Sequence, residues 1–202
     1  MDERIKNNIR KLREQYGIPT AEKGVPLFQP SVDESSVAIV YPSNDIRALG
    51  FKMAADKLVD IAMTEPDCTD YLVYSVGYLY RMYIELRLKD IIEIVKQVSR
   101  IGHNLEELWK EAKPMMESSS QWFDDQELEA IEEKIREFSK IDPFSDAWRY
   151  SRNMKREPTL KDIRTVDLRH LKQVIDSIST ALDGSYTAVL EDREGSDKQI
   201  HT

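Results

Sequence analysis

The chain has 202 residues, 41% of them hydrophobic and 33% charged, with a formal net charge of −8. That length supports one sizeable core, and 7 Gly and 8 Pro are too few for an all-β chain built on tight turns. The acidic balance and the lack of a Lys/Arg run argue against nucleic-acid binding by bulk charge, while a single cysteine, Cys68, excludes an intrachain disulfide or a Cys-based zinc cluster and points to a reducing cytoplasm.

The N-terminus, MDERIKNNIRKLREQYG, is charged and lacks the apolar core of a signal peptide. Ile5, Ile9 and Leu12 at helical spacing predict a short amphipathic helix over 1–16, with Gly17 as its stop. Residues 17–44 contain four prolines and no helical period, so they read as an irregular arm, with SVAIVY at 36–41 as an extended piece lying against the bundle. The bundle is expected over 45–193 and a polar tail over 194–202. Asn44 or Asp45 is expected to cap a helix to about residue 64, with Phe51, Ala54, Ala55, Leu58, Ile61 and Ala62 buried.

After Pro66 a long helix is predicted over 68–99, apolar on most of its circumference through residue 84 and ended by Gly102. Such a helix belongs at the centre of a bundle. Its apolar run YLVYSVGYLY is about half of the roughly 20 residues a membrane span needs, so no membrane association is expected. Asn104 should cap the next helix, LEELWKEAK, with Glu107 in the reciprocal position. Pro114 and the serines at 118–120 read as a loop. Asp124 or Asp125 starts a helix with Leu128, Ile131, Ile135 and Phe138 inward. A last helix starts near Asp167 and buries Leu168, Leu171, Ile175, Ile178 and Leu182, with Gly184 ending or weakening it. The fold class is therefore all-α, a single helical bundle of about six helices with an irregular N-terminal arm.

On the central helix, Arg81 and Glu85 lie about 40° apart at the edge of the apolar face marked by Val73, Tyr80, Ile84, Ile91 and Val98. They form either an exposed i,i+4 pair worth a few tenths of a kcal/mol or a partly buried pair reaching another element. Gly77 shares that face and permits another helix to approach closely, whereas Lys89, Asp90 and Glu93 should turn to water. His103 either fixes a turn through backbone hydrogen bonds or serves as a pH-sensitive or ligand-holding group. His103, His170 and His201 are the only histidines, and their spacing forms no metal site.

The stretch IDPFSDAWRYSRN at 141–153 reads as an anchored turn. Asp142 precedes Pro143, and Ser145 or Asp146 can bond the backbone two residues on. Phe144, Trp148 and Tyr150 are expected to pin the turn, leaving Arg149 to point outward or to find a buried carboxylate such as Glu85.

YLYRMYIELRLKDII, GHNLEELWKE, IDPFSDAWRYS and VDLRHLKQVIDSI, in this order and spacing, resemble uncharacterised bacterial proteins of the HEPN superfamily, over roughly residues 68–183. The resemblance implies a HEPN-like four-helix-type core, homodimerisation, and association with RNA processing, toxin–antitoxin or antiviral systems. Many HEPN proteins are metal-independent RNases with an Arg-x(4–6)-His motif, in which His does acid–base work and Arg stabilises the phosphate. Arg152-Asn153 looks like the start of that motif, but no His stands at 157–159. Arg164 and His170 satisfy the spacing, yet with three histidines and 14 arginines such a match arises from composition alone. The preferred expectation is a non-catalytic binding or regulatory module without cofactor or metal, in which Arg81, Glu85, His103, Asp142 and Arg149 form one polar cluster beside Ser145 and Tyr150. That cluster stabilises the turn or receives a nucleotide, phosphate or partner carboxylate. The alternatives are a metal-independent RNase using Arg164 and His170, and a protein inhibitor or assembly factor binding a protein partner through the 17–44 arm.

Overall fold

The computed structural model describes residues 3–17, 23–24, 26–28, 35, 37–97, 102–119 and 123–200, with side chains placed through residue 195. These residues form six α-helices: α1 Glu3–Gln15, α2 Asn44–Thr64, α3 Thr69–Lys96, α4 Leu105–Ser119, α5 Asp125–Ile141 and α6 Leu168–Ile200. The only β pairing among them is an isolated bridge between Arg152 and Pro158. The expectations at Val98 and His201 lie outside the described residues, as do residues 18–22, 25, 29–34 and 36 of the 17–44 arm.

The chain divides into two units, Met1–Val40 and Tyr41–Thr202. In the first, α1 is followed by Gly17 in left-handed backbone and leaves Ile5, Ile9 and Leu12 exposed. Leu27, Phe28, Val37, Ile39 and Val40 are exposed too, and residues 37–41 form no strand.

In the second unit, Ser43 caps α2, its Oγ accepting from the Ile46 N–H at 3.5 Å. The cap therefore falls one residue before the expected Asn44, which frees Asp45 for another task. The buried face of α2 is Ala48, Ala55, Val59 and Ala62, while Phe51, Ala54 and Leu58 are half-buried and Ile61 is exposed. These small side chains bring α2 close against α3.

Helix α3 packs against α2, α4 and α6, and α5 packs on α4. It is thus the central helix, although Tyr71 and Tyr74 in its first turns are exposed. It stops at Gln97, whose left-handed backbone (φ 55°) directs its N–H to the Glu93 carbonyl at 3.0 Å, five residues before the expected Gly102. Asn104 Oδ1 caps α4 by accepting from the N–H groups of Glu106 and Glu107. The helix runs through Pro114 to Ser119, where a loop was expected. Proline removes one donor and frees the Lys110 carbonyl; both residues are exposed, so water can satisfy that group. A capping box between Asp124 and Glu127 starts α5, and Leu128, Ile131, Ile135 and Phe138 are buried as the spacing predicts.

Asp167 starts α6 by accepting from the His170 N–H at 3.0 Å. Gly184 lies within the helix, which continues to Ile200, past the tail expected from 194. One interior glycine costs only about 1 kcal/mol relative to alanine, less than the neighbouring buried Ala181, Leu182 and Val189 recover.

The close approach at Gly77, expected from another helix, is made instead by a side chain from the 142–150 turn. Trp148 lies flat on the glycine, and a Cβ there would sit 2.4 Å from its ring carbons. Trp148 also packs against Phe138, with ring centroids 6.5 Å apart. We expect Gly77→Ala to displace the ring and lower stability by about 1–3 kcal/mol, despite alanine's better helix propensity. Thermal denaturation checks this; an unchanged or raised Tm would show that Trp148 is not held there.

Candidate functional site

Arg81 and Glu85 follow from the periodicity of α3 as an i,i+4 pair, but they are enclosed rather than at an edge, at 0% and 1% exposure. Arg81 Nη1 donates to Glu85 Oε2 at 2.9 Å, Nη2 donates to the His103 carbonyl, and Nε points at the Asp142 carbonyl at 3.5 Å. Glu85 Oε1 accepts from Lys89 Nζ at 2.7 Å and lies 2.7 Å from His103 Nδ1, which must then carry the proton. Asp142 Oδ1 accepts from the backbone N–H groups of Asp146 and Ala147, closing the turn after α5. One guanidinium thus joins α3 to the α3–α4 junction and to the end of α5. Burial lowers the Arg81 pKa against the charges of Glu85 and Asp142. Burial also disfavours ionised Glu85, but hydrogen bonds from Lys89 and His103, with the charges of Lys89 and Arg81, hold its carboxyl below the ordinary range.

Arg149 does not join this cluster. Its Nε and Nη2 donate to the Ser145 carbonyl, four residues back, and its guanidinium lies over the rings of Tyr78 and Tyr150 at 5.5 and 5.2 Å. A carbonyl and two aromatic faces satisfy a guanidinium that already points outward, so Glu85 is left to Arg81. Ser145 is buried, with its Oγ 3.7 Å from Met82 Sδ and its backbone in the left-handed region (φ 59°). Of the three aromatics expected to anchor the turn, only Trp148 does so, at 6% exposure; Phe144 and Tyr150 are 75% and 57% exposed.

Arg149, Tyr150 and Trp148 line a groove of about 860 Å³ with Asp70, Tyr74 and Arg164, between the start of α3 and the 147–166 segment. A second cavity of about 410 Å³, lined by Phe138, Ile141, Trp148, His170 and Ile175, lies between α5 and α6. Arg164 lines the first and His170 the second. Arg152 and Asn153 serve their own loop. Arg152 Nη1 donates to the Arg156 carbonyl, and Asn153 Oδ1 accepts from the N–H groups of Lys155 and Glu157.

A second charged centre was not anticipated. Arg87 is 1% exposed; its Nη1 lies 2.7 Å from Asp45 on α2 and 3.8 Å from Asp90, its Nε lies 2.7 Å from Asp183 on α6, and its guanidinium covers the Tyr186 ring at 4.5 Å. The Tyr83 hydroxyl donates to Asp183 at 2.9 Å. The signal was present: Ile84, Leu88 and Ile91 flank Arg87 at helical spacing, so its face is buried. Asp90, expected in water, is 8% exposed. Burial pushes its carboxyl up to about 6; Arg87 opposes the shift and the charges of Asp45 and Glu93 add to it. Among the described residues no cluster fits a metal ion, and no helix is long and apolar enough to cross a membrane. Comparison with family models, curated proteins and solved structures returns no significant match.

Removing Arg81 leaves Glu85 buried beside Lys89 and frees two backbone carbonyls. Arg81→Ala should cost about 3–5 kcal/mol in urea denaturation, whereas replacing both partners with Arg81→Met and Glu85→Leu should recover much of the loss. A loss below 1 kcal/mol for Arg81→Ala would show that the pin is dispensable. For Asp90 the folded pKa stands above the ordinary value of 3.8. Its favourable contribution is therefore complete below that value and lost as pH rises through about 6. Asp90→Asn should gain stability on wild type between pH 4 and pH 8, by up to about 3 kcal/mol. Parallel melting curves at both pH values test the sign.

Proposed function

We propose that this chain is a HEPN-like binding and regulatory module without RNase activity, acting as a cytoplasmic homodimer in a toxin–antitoxin or antiviral setting. The observation that carries the reading is that Arg164 and His170 line two adjoining cavities rather than one. Metal-independent cleavage needs a phosphate-stabilising cation and an acid–base group facing one scissile linkage. The other groups such chemistry would draw on already have structural tasks: Arg81 and Glu85 are buried on each other, and Arg152 and Asn153 close their own loop. What remains open to solvent is the groove beside Arg149, whose guanidinium is fixed in place by Ser145 and two tyrosine rings. A pre-positioned arginine at the wall of a groove suits recognition more than bond cleavage.

The deciding experiment incubates structured and single-stranded RNA with the purified chain in EDTA, comparing wild type with His170→Ala. The expected result is intact RNA in both. EDTA-resistant cleavage by wild type that His170→Ala abolishes would replace this reading with a nuclease.

A further inference from the structure

The groove beside Arg149 has a lining that selects for charge and shape. Arg149 and Arg164 both line it against one carboxylate, Asp70. In a chain with 37 acidic and 29 basic residues, that local balance runs opposite to the whole. Neither arginine forms an ion pair with a described carboxylate. Arg149 spends Nε and Nη2 on the Ser145 carbonyl, which leaves Nη1 to donate elsewhere. Arg164 is exposed and spends none of its donors on a described residue. Tyr74 and Tyr150 line the same volume and are more than half exposed, so flat aromatic faces stand beside the two cations.

The far wall is built in advance of any ligand. Thr159 donates through its N–H to the Ser151 carbonyl and through Oγ1 to the Tyr150 carbonyl, and Ile163 N–H donates to the Leu160 carbonyl. Asn153 and Glu157 exchange three further bonds. Ser145, Arg156 and Leu160 hold left-handed backbone, a strained conformation for side-chain-bearing residues that persists only where surrounding bonds enforce it. A wall fixed by its own hydrogen bonds reduces the ordering cost of binding. The volume, about 860 Å³, is that of a small-molecule site.

We propose that this groove binds a small organic anion, an oxyanion head carried on a planar ring. Arg149 and Arg164 hold the head, and Tyr74 and Tyr150 hold the ring. Phosphate and carboxylate heads share this chemistry, and the probes separate them. The proposal rests on the binding-module reading, but its test is independent of that reading's RNA assay. RNA cleavage would defeat the reading whatever the groove does, and silent titrations would defeat the groove whatever happens to RNA.

The full chain is titrated calorimetrically at low ionic strength with phenyl phosphate, benzoate, inorganic phosphate and phenol. Saturable binding at one site is expected for phenyl phosphate, for benzoate or for both, with phenol silent and inorganic phosphate weaker than phenyl phosphate. Arg149→Ala and Arg164→Ala should each weaken binding by about tenfold or more, while Arg136→Ala, on the exposed face of α5, should leave it unchanged. Melting curves show whether Arg149→Ala remains folded. The exposed Arg164 side chain makes no hydrogen bond or ion pair with a described residue, so Arg164→Ala should melt like wild type, which keeps the test valid. Binding of none of the anions, equal binding of phenol, or affinities indifferent to Arg164→Ala would overturn the proposal.

Discussion

Arg81 brings a positive charge into a place that water does not reach, and the bundle is arranged around satisfying it. An isolated guanidinium there would cost several kcal/mol of lost hydration. Glu85 supplies the counter-charge from the same helix, but one carboxylate cannot accept from all five donors. The remaining acceptors are main-chain carbonyls of His103 and Asp142, residues 22 and 61 positions away in sequence. Asp142 caps the C-terminus of α5, where carbonyls lack intrahelical partners, and His103 lies outside any helix, just before the cap of α4. The pairing therefore solves two problems: the arginine needs acceptors, and the end of α5 and the α3–α4 junction have them. Once Asp142 is held there, its side chain folds the following turn, and Trp148 arrives on Gly77.

The other polar residues of α3 obey the same constraint. The middle of a helix packed on α2, α4 and α6 has little surface left for water, so its buried polar side chains draw partners from other elements. Tyr80 reaches Asp56 on α2, Tyr83 reaches Asp183 on α6, and Arg87 reaches both helices at once. Lys52 extends the web from α2 to Asp176 on α6. Such bonds add little net stability over a well-packed apolar core. What they add is selectivity, because a helix slid by one turn would leave several charges buried without partners.

This constraint also explains how far the sequence could be read. Helix α5 was legible in its start near Asp124 and in its buried face, because it has a plain three-four spacing at Leu128, Ile131, Ile135 and Phe138. Helix α3 was legible as central but not in its polar contacts. Angle around a helix says which residues share a face, not how many neighbours cover that face, so Arg81 was placed at an edge and Asp90 in water. Pro114 was read as a break because proline usually is one, yet an exposed turn tolerates the lost bond. Of the candidate site, Arg81, Glu85, His103 and Asp142 do meet, whereas Arg149 does not join them. Its carbonyl partner depends on the left-handed backbone at Ser145, which no side-chain pattern announces.

The separation of Arg149 from the buried cluster divides the chain's arginines by role. Arg81 and Arg87 have every neighbour chosen by the fold, and a ligand that drew either one away would leave a buried carboxylate unpaired. Neither can exchange partners without local unfolding. Arg149 is held by a neutral carbonyl and by the faces of two rings, contacts that orient a guanidinium without neutralising it. No described carboxylate pairs with it, and its direction is set because Trp148, seated on Gly77 one helical turn before Arg81, fixes the segment that carries it. The buried arginine thus helps to set where the exposed one stands, through the turn that Asp142 closes and Trp148 anchors.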